Sequence, residues 1–255
     1  MRVSLELSNV DVSVAGVPIC RQVDLTINGG ETHVLFGPNG SGKSSLLGAV
    51  MGLPPYEVTS GEVRLLGTEI TGLGVDERAK LGLGLAFQRP PALQGVSLRD
   101  LGRSLSAVNE LTAQAHLLDF EGLLDRDINA GFSGGEIKRW EILKLYLQRP
   151  QVCLFDEPES GVDLEHIAAV GAGIHQLLRQ PDGEGQRRSA LVITHTGFIL
   201  DYLKADVGHL MVGGRLVHSG EPYALFQHIK AHGYTVPGND DRPETDKHIT
   251  RGVHR

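Results

Sequence analysis

One stretch limits the fold of this chain more than any other. It is Gly37-Pro38-Asn39-Gly40-Ser41-Gly42-Lys43-Ser44, which matches the pattern G-x-x-x-x-G-K-S/T. An apolar-rich stretch typical of a buried strand, Thr32 to Phe36, comes before it, and a segment with helical character, Lys43 to Met51, follows it. In this setting the glycines let successive backbone N–H groups surround phosphate oxygens, and the helix adds its positive end. The sequence therefore predicts a phosphate-binding loop in an α/β fold.

The side chains at the end of this loop predict the rest of the ligand. Lys43 is expected to reach the β- and γ-phosphates, the Ser44 hydroxyl to bind Mg²⁺, and Ser45 to complete the binding segment. Kinases, GTPases, helicases and transport ATPases all share such a loop. The loop therefore indicates that the chain binds a nucleoside triphosphate with Mg²⁺, but it does not distinguish between these classes of protein.

Two later strands also end in polar residues. The apolar run Val152 to Phe155 is followed by Asp156 and Glu157, and Ala190 to Thr194 is followed by His195. The carboxyl ends of parallel strands share one edge of a sheet, beside the phosphates. We expect Asp156 to hold Mg²⁺ through water and Glu157 to deprotonate the attacking water, which contributes about 10²–10⁴-fold in rate. His195 is expected to contact the γ-phosphate or Glu157; solvated acids and a capping histidine are the alternatives.

A second glycine-rich segment precedes another helix. It is Phe132-Ser133-Gly134-Gly135-Glu136, roughly 90 residues after the first loop. Ser133 and Glu136 form the S-x-x-E pattern of a capping box. The paired glycines would also let an anion approach the exposed N–H groups. One chain cannot readily place both segments on one phosphate, but two chains packed head to tail can.

The order of these motifs resembles that of ABC ATPases. Besides the segments above it includes Gln88 and the turn Ser160-Gly161-Val162-Asp163, and the resemblance extends from about residue 3 to 220. It implies that two ATP molecules lie between two subunits, each bound by one chain's phosphate loop and the other's Ser133-Gly134-Gly135. It further implies that Gln88 contacts Mg²⁺ and that Ser160 and Asp163 lie at the dimer interface.

Val14 departs from the family pattern at the position expected to contact the base of the nucleotide. It falls where many ABC ATPases place an aromatic residue against adenine. Because stacking there contributes about 0.5–1.5 kcal/mol beyond burial, we expect weak selectivity for the base.

The resemblance and the strand pattern together give the expected fold class. This is an α/β fold with a RecA-like phosphate-loop core and a mixed sheet, an N-terminal antiparallel β subdomain and an inserted helical subdomain. Strand signals disappear from Pro90 to Arg149, which indicates helices there. We expect one domain over 1–235, with a catalytic core at 1–87 and 150–235, a helical subdomain at 88–149 and a flexible tail at 236–255.

Several segments are similar to the ATPase subunit of the SUF iron–sulfur cluster assembly machinery. They include Tyr56-Glu57-Val58-Thr59, Ala86-Phe87-Gln88-Arg89-Pro90, Asn129 to Glu136 and Asp201-Tyr202-Leu203-Lys204. This similarity implies SufB/SufD-like scaffold partners, on which a transient, ATP-dependent homodimer acts mechanically. The stretch from Gln88 to Ser133 is shorter than in that subunit, which leaves the partner surface open. Two cysteines, Cys20 and Cys153, fall short of the four ligands of a cluster, so a partner must hold it.

Charge and hydropathy exclude other classes. The 255 residues carry 24 Lys and Arg against 31 Asp and Glu, a net charge of −7. This balance argues against nucleic acid or anionic lipid as the main partner. No apolar run approaches the roughly 18 residues that cross a bilayer. Residues 1–10 lack the charged and then apolar segments of a secretory signal peptide. We expect a cytoplasmic protein without direct membrane insertion. The alternatives are the nucleotide-binding subunit of a membrane transporter and a non-hydrolysing ATP-binding regulator.

Overall fold

The structure is a computed structural model that describes residues 2–181 and 185–237. The predicted C-terminal tail, 236–255, lies outside the described residues from 238 onward. Within the described part of the chain, no helix has the length and apolarity that a bilayer crossing requires.

The described residues form twelve strands and seven α-helices. The strands are β1 (Val3–Val14), β2 (Val17–Asn28), β3 (Thr32–Phe36), β4 (Tyr56–Leu65), β5 (Thr68–Glu69), β6 (Leu83–Ala86), β7 (Leu93–Ser97), β8 (Asp127–Ile128), β9 (Val152–Asp156), β10 (Ser189–Ile193), β11 (Val207–Val212) and β12 (Arg215–Gly220). The helices are α1 (Lys43–Met51), α2 (Val75–Lys80), α3 (Leu98–Ser104), α4 (Val108–Leu117), α5 (Gly134–Gln148), α6 (Leu164–Arg179) and α7 (Pro222–His232).

Two sheets carry the architecture. The larger has the order β12-β11-β3-β10-β9-β6, with β12 antiparallel to its neighbour and the other strand pairs parallel. The second sheet, β2-β1-β4-β5, is antiparallel. The predicted α/β fold with a mixed sheet and an N-terminal antiparallel unit is confirmed.

The larger sheet is buried on both faces, and its central strands β3, β9 and β10 are mostly apolar and almost entirely buried. On β9, Cys153 and Phe155 belong to the hydrophobic core that also contains Trp140 of α5, whereas Val152 and Leu154 belong to the core beneath α1. Side chains alternate between the two faces of a strand, so each strand supplies both cores. This packing fixes the carboxyl ends of the parallel strands, where the polar residues lie.

The expectation that no strand occurs between Pro90 and Arg149 is wrong in one place. β7 and β8 form a two-stranded antiparallel sheet that pairs Leu93 with Ile128. The first four residues of β7 are exposed. An exposed strand has no buried face to impose apolar alternation, so its sequence carries no strand signal.

Candidate active site

A cavity of about 450 Å³ lies at the carboxyl-terminal edge of the large sheet, around the start of α1. It is lined by Asn39, Gly40, Ser41, Gly42, Lys43, Ser44, Ser45, Gln88, Glu157, Ser160 and His195. These residues come from separate parts of the chain, which the parallel strands bring to one edge. Val14 and residues 133–136 are not among the lining residues.

The phosphate loop is closed on itself by Lys43. Its Nζ donates to the carbonyl oxygens of Gly37 at 2.7 Å and Pro38 at 3.0 Å. Burial lowers the pKa of this ammonium group. The Ser41 hydroxyl is buried and has no hydrogen-bond partner in the described part of the chain. A buried, unpartnered hydroxyl in this glycine-rich loop fits a phosphate group, whose oxygens accept hydrogen bonds.

Oxygen donors suited to a hard cation lie beside the loop. The Ser44 hydroxyl donates to Oδ1 of Asp156 at 2.9 Å. Burial raises the pKa of Asp156, and the charge of Glu157 adds to this effect. Gln88 lines the same cavity and carries an amide oxygen. A hydroxyl, a carboxylate and an amide oxygen are ligands that Mg²⁺ accepts, so these residues fit the predicted metal.

The carboxylate of Glu157 is approached by the other two predicted catalytic residues, Gln88 and His195. Nε2 of Gln88 donates to Oε2 of Glu157 at 2.5 Å, and Nδ1 of His195 lies 3.4 Å from the same oxygen. The Glu157 backbone is left-handed, with φ of 47°, and its N–H donates to the carbonyl of Ile193 at 3.1 Å. A glutamate rarely adopts this conformation, and such strain often marks a functional position.

Lys138 of α5 reaches both Gln88 and Glu157 and was not assigned a role from the sequence. Its Nζ donates to the carbonyl oxygens of Gln88 at 2.8 Å and Glu157 at 3.0 Å. The side chain is buried, and this burial lowers its pKa. Lys138 shares a helix face with Ile142, and a lysine on such a buried face is the signal that could have revealed it.

The segment 133–136 opens α5 outside the cavity. Ser133 Oγ accepts from the N–H of Glu136 at 3.3 Å, and Glu136 Oε2 accepts from the N–H of Ser133 at 2.6 Å, which completes the predicted capping box. A Cβ on Gly134 would lie 2.3 Å from the carbonyl oxygen of Gly161. Glycine at this position therefore allows the start of α5 to touch the 160–163 turn of the same chain.

Two further predicted residues have clear places in the structure. Asp163 caps α6, and its carboxylate accepts from the N–H of His166 at 3.1 Å. Val14 is half-buried at the end of β1, paired with Val17 and Tyr56 on the flanking strands.

Comparison with known proteins agrees with this arrangement. The family described as ABC transporter matches residues 20–160. A protein of Streptococcus pyogenes serotype M3, named "Probable ABC transporter ATP-binding protein", is 38% identical over 92% of this chain and 95% of its own. The Escherichia coli K12 protein named "Probable ATP-dependent transporter SufC" is 37% identical over 90% of this chain and 97% of its own.

A solved structure shows the same fold. It is the ADP conformation of MJ1267, an ATP-binding cassette of an ABC transporter, which superposes with a TM-score of 0.73 at 23% identity. The match covers 91% of this chain and 96% of that one. The resemblance drawn from the motifs, including the similarity to the SUF subunit, is confirmed.

Proposed function

Because the chain belongs to the ABC family of ATP-binding proteins, we propose that it binds ATP with Mg²⁺ and hydrolyses it between two copies of itself. The observation that carries this proposal is the cavity that joins the phosphate loop with Gln88, Glu157 and His195. A phosphate cradle next to a hydrogen-bonded carboxylate has the parts that hydrolysis needs: binding groups and a general base.

The proposal assigns a role to each residue of the site. The loop N–H groups, Lys43 and Ser41 bind the phosphates, and Ser44, Gln88 and Asp156 would hold Mg²⁺. When bound, the metal supplies positive charge to the β- and γ-phosphate oxygens. Glu157 takes the proton of the attacking water. Its hydrogen bond from Gln88 and its contact with His195 orient the carboxylate.

The position of the second glycine segment supports a two-chain site. Ser133 and Gly134 are exposed, and segment 133–136 does not line the cavity of its own chain. The first N–H groups of α5 have no partners within their helix, so they can bind an anion from outside the chain. We propose that this anion is the triphosphate held by a second copy.

The proposed partner of the dimer is a SufB/SufD-like scaffold for iron–sulfur cluster assembly in the cytoplasm. The identity with the E. coli SufC protein along nearly the whole chain supports this choice. A role as the nucleotide-binding subunit of a membrane transporter is the second candidate, since the streptococcal relative is named as such. Copurification distinguishes them: scaffold subunits support the first and a permease supports the second.

Hydrolysis is tested with Glu157→Gln. The amide keeps the size of the side chain but cannot take a proton, so the rate should fall at least about 100-fold while ATP binding persists. Glu69→Gln, an exposed change on β5, is the matched control and should behave as the wild type. Full hydrolysis by the Glu157 variant would refute the proposed role of this residue.

A further inference from the structure

The residues on either side of His195 share one hydrogen-bond acceptor. The hydroxyls of Thr194 and Thr196 both donate to Oε1 of Glu159, the latter at 3.0 Å. The Thr194 hydroxyl also accepts from the N–H of Gly197 at 2.9 Å. Hydrogen bonds from the residues before and after His195 therefore hold this segment to a single carboxylate.

Glu159 is buried, and burial makes an ionised carboxylate energetically unfavourable. It is 3% exposed, and its second oxygen, Oε2, has no hydrogen-bond partner in the described part of the chain. Burial raises the pKa of this group, and the hydroxyls of Thr194 and Thr196 offset part of that effect. An apolar residue would satisfy a mere packing role more cheaply, because burying a poorly paired acid costs free energy.

Glu159 is also tied to Glu157 by a short, ordered connection. The two are separated only by Pro158, which is buried, and the N–H of Ser160 donates to the carbonyl of Glu157 at 3.0 Å. Glu159 is not among the residues that line the 450 Å³ cavity of the phosphate loop, and it lines instead a neighbouring cavity that shares Ser160 and His195 with the first.

We propose that Glu159 is a positioning residue that holds Thr194 and Thr196 so that His195 stays beside the carboxylate of Glu157. The inference rests on the proposed function, in which His195 and Glu157 act on the same phosphate. Without the Glu159 acceptor, the 194–196 segment loses two hydrogen bonds, and the imidazole is free to leave the Glu157 oxygen that it now approaches to 3.4 Å.

The kinetic test compares Glu159→Ala, which removes the acceptor, with Glu159→Gln, which keeps an acceptor oxygen. Glu159→Ala should lower kcat by about 10- to 100-fold, the cost of a misplaced catalytic group, with the affinity for a non-hydrolysable ATP analogue unchanged. Glu159→Gln should restore most of kcat. In a His195→Ala background, Glu159→Ala should cause no further loss, because the group it positions is gone.

A second test does not depend on activity. The ring nitrogen NMR signals of His195, assigned by their disappearance in His195→Ala, should shift in Glu159→Ala. They should also shift in Thr196→Val, which removes one hydroxyl at constant shape, and shift less in Thr196→Ser, which keeps the hydroxyl. If Glu159→Ala fails to fold, the comparison of Thr196→Val with Thr196→Ser supplies the test.

Unchanged His195 signals in the Glu159 and Thr196 variants would overturn the inference. So would an equal loss of kcat from Glu159→Ala with and without His195. If the wild type hydrolyses no ATP, the proposed function fails, while the NMR comparison still decides whether Glu159 positions His195.

Discussion

The backbone N–H of Gly214 donates a hydrogen bond to the carbonyl oxygen of Ser41, 3.0 Å away, and so ties the turn between β11 and β12 to the phosphate loop. The carbonyl of the same glycine accepts from the N–H of Arg21 on β2 at 2.9 Å. Gly214 is buried with φ of 78°, and a Cβ there would lie 2.1 Å from the carbonyl oxygen of Ile19. The loop is thus supported by a residue outside its own motif.

We predict that Gly214→Ala weakens nucleotide binding while the neighbouring Gly213→Ala does so far less. Both glycines have positive φ, but a Cβ on Gly213 would meet nothing within 4 Å. Both variants carry the left-handed penalty of roughly 1–2 kcal/mol, and only Gly214→Ala must also displace backbone that touches the loop. Binding of a non-hydrolysable ATP analogue should weaken at least about tenfold for Gly214→Ala, or about 1.4 kcal/mol. Equal affinities for the two variants would show that the turn does not support the loop.

A second prediction concerns acid stability and rests on two buried histidines. His33 Nδ1 lies 2.9 Å from His209 Nε2, and their outer nitrogens face Glu31 at 3.1 Å and the Ser219 hydroxyl at 2.7 Å. Burial lowers the pKa of His209 to about 4 and also lowers the pKa of His33. The unfolded chain binds protons near pH 6.5, before the folded one does, so stability should fall as the pH drops from about 6.5 to about 4.

The contribution of His209 should lower the free energy of unfolding by about 3 kcal/mol over this pH interval. Urea unfolding at a series of pH values measures it. His209→Gln should flatten the pH dependence in that window, whereas His116→Gln, which changes a histidine with 74% of its side chain exposed, should not. A pH dependence that is unchanged in His209→Gln would contradict the assignment.

Local patterns predicted the buried strands and motif residues but not the contacts that support them. β3 forms over the predicted residues Thr32–Phe36 because both of its faces are buried, and a strand buried on both faces has an apolar-rich sequence without strict alternation. Helix α7 was not predicted, since among its residues only Pro222 and Leu225 are buried and the apolar period is weak. Lys138 and Glu159 meet partners 50 and 35 residues away, and only tertiary packing specifies such contacts.

The third prediction is that GTP competes with ATP. Val14 offers no aromatic ring for adenine, so the two nucleotides should bind within a few-fold of each other. Val14→Tyr should tighten ATP binding by between about 2-fold and 10-fold through stacking. Val17→Tyr, an exposed position on the same hairpin, serves as the control. A strong preference of the wild type for ATP over GTP in a competition assay would count against this prediction.

The fourth prediction addresses the two-chain site and needs a variant that blocks the start of α5 without unfolding it. Gly134 is unsuitable, because a Cβ there would meet the Gly161 carbonyl at 2.3 Å. A Cβ on Gly135 would make only an ordinary contact, 3.4 Å from the His166 ring. Aspartate is tolerated in the first turn of a helix, so Gly135→Asp should fold and yet repel the triphosphate of a second copy. Alone, it should bind ATP and hydrolyse almost none.

The decisive measurement mixes Gly135→Asp with Lys43→Ala, each inactive alone, and records ATP hydrolysis. A mixed dimer pairs the intact loop of the first variant with the intact glycine segment of the second. Half of randomly assorted dimers are mixed and each has one working site, so the mixture should recover up to about a quarter of wild-type activity. A mixture that forms dimers but stays inactive, or a Gly135→Asp protein that hydrolyses ATP at the wild-type rate, would contradict a site shared between two chains.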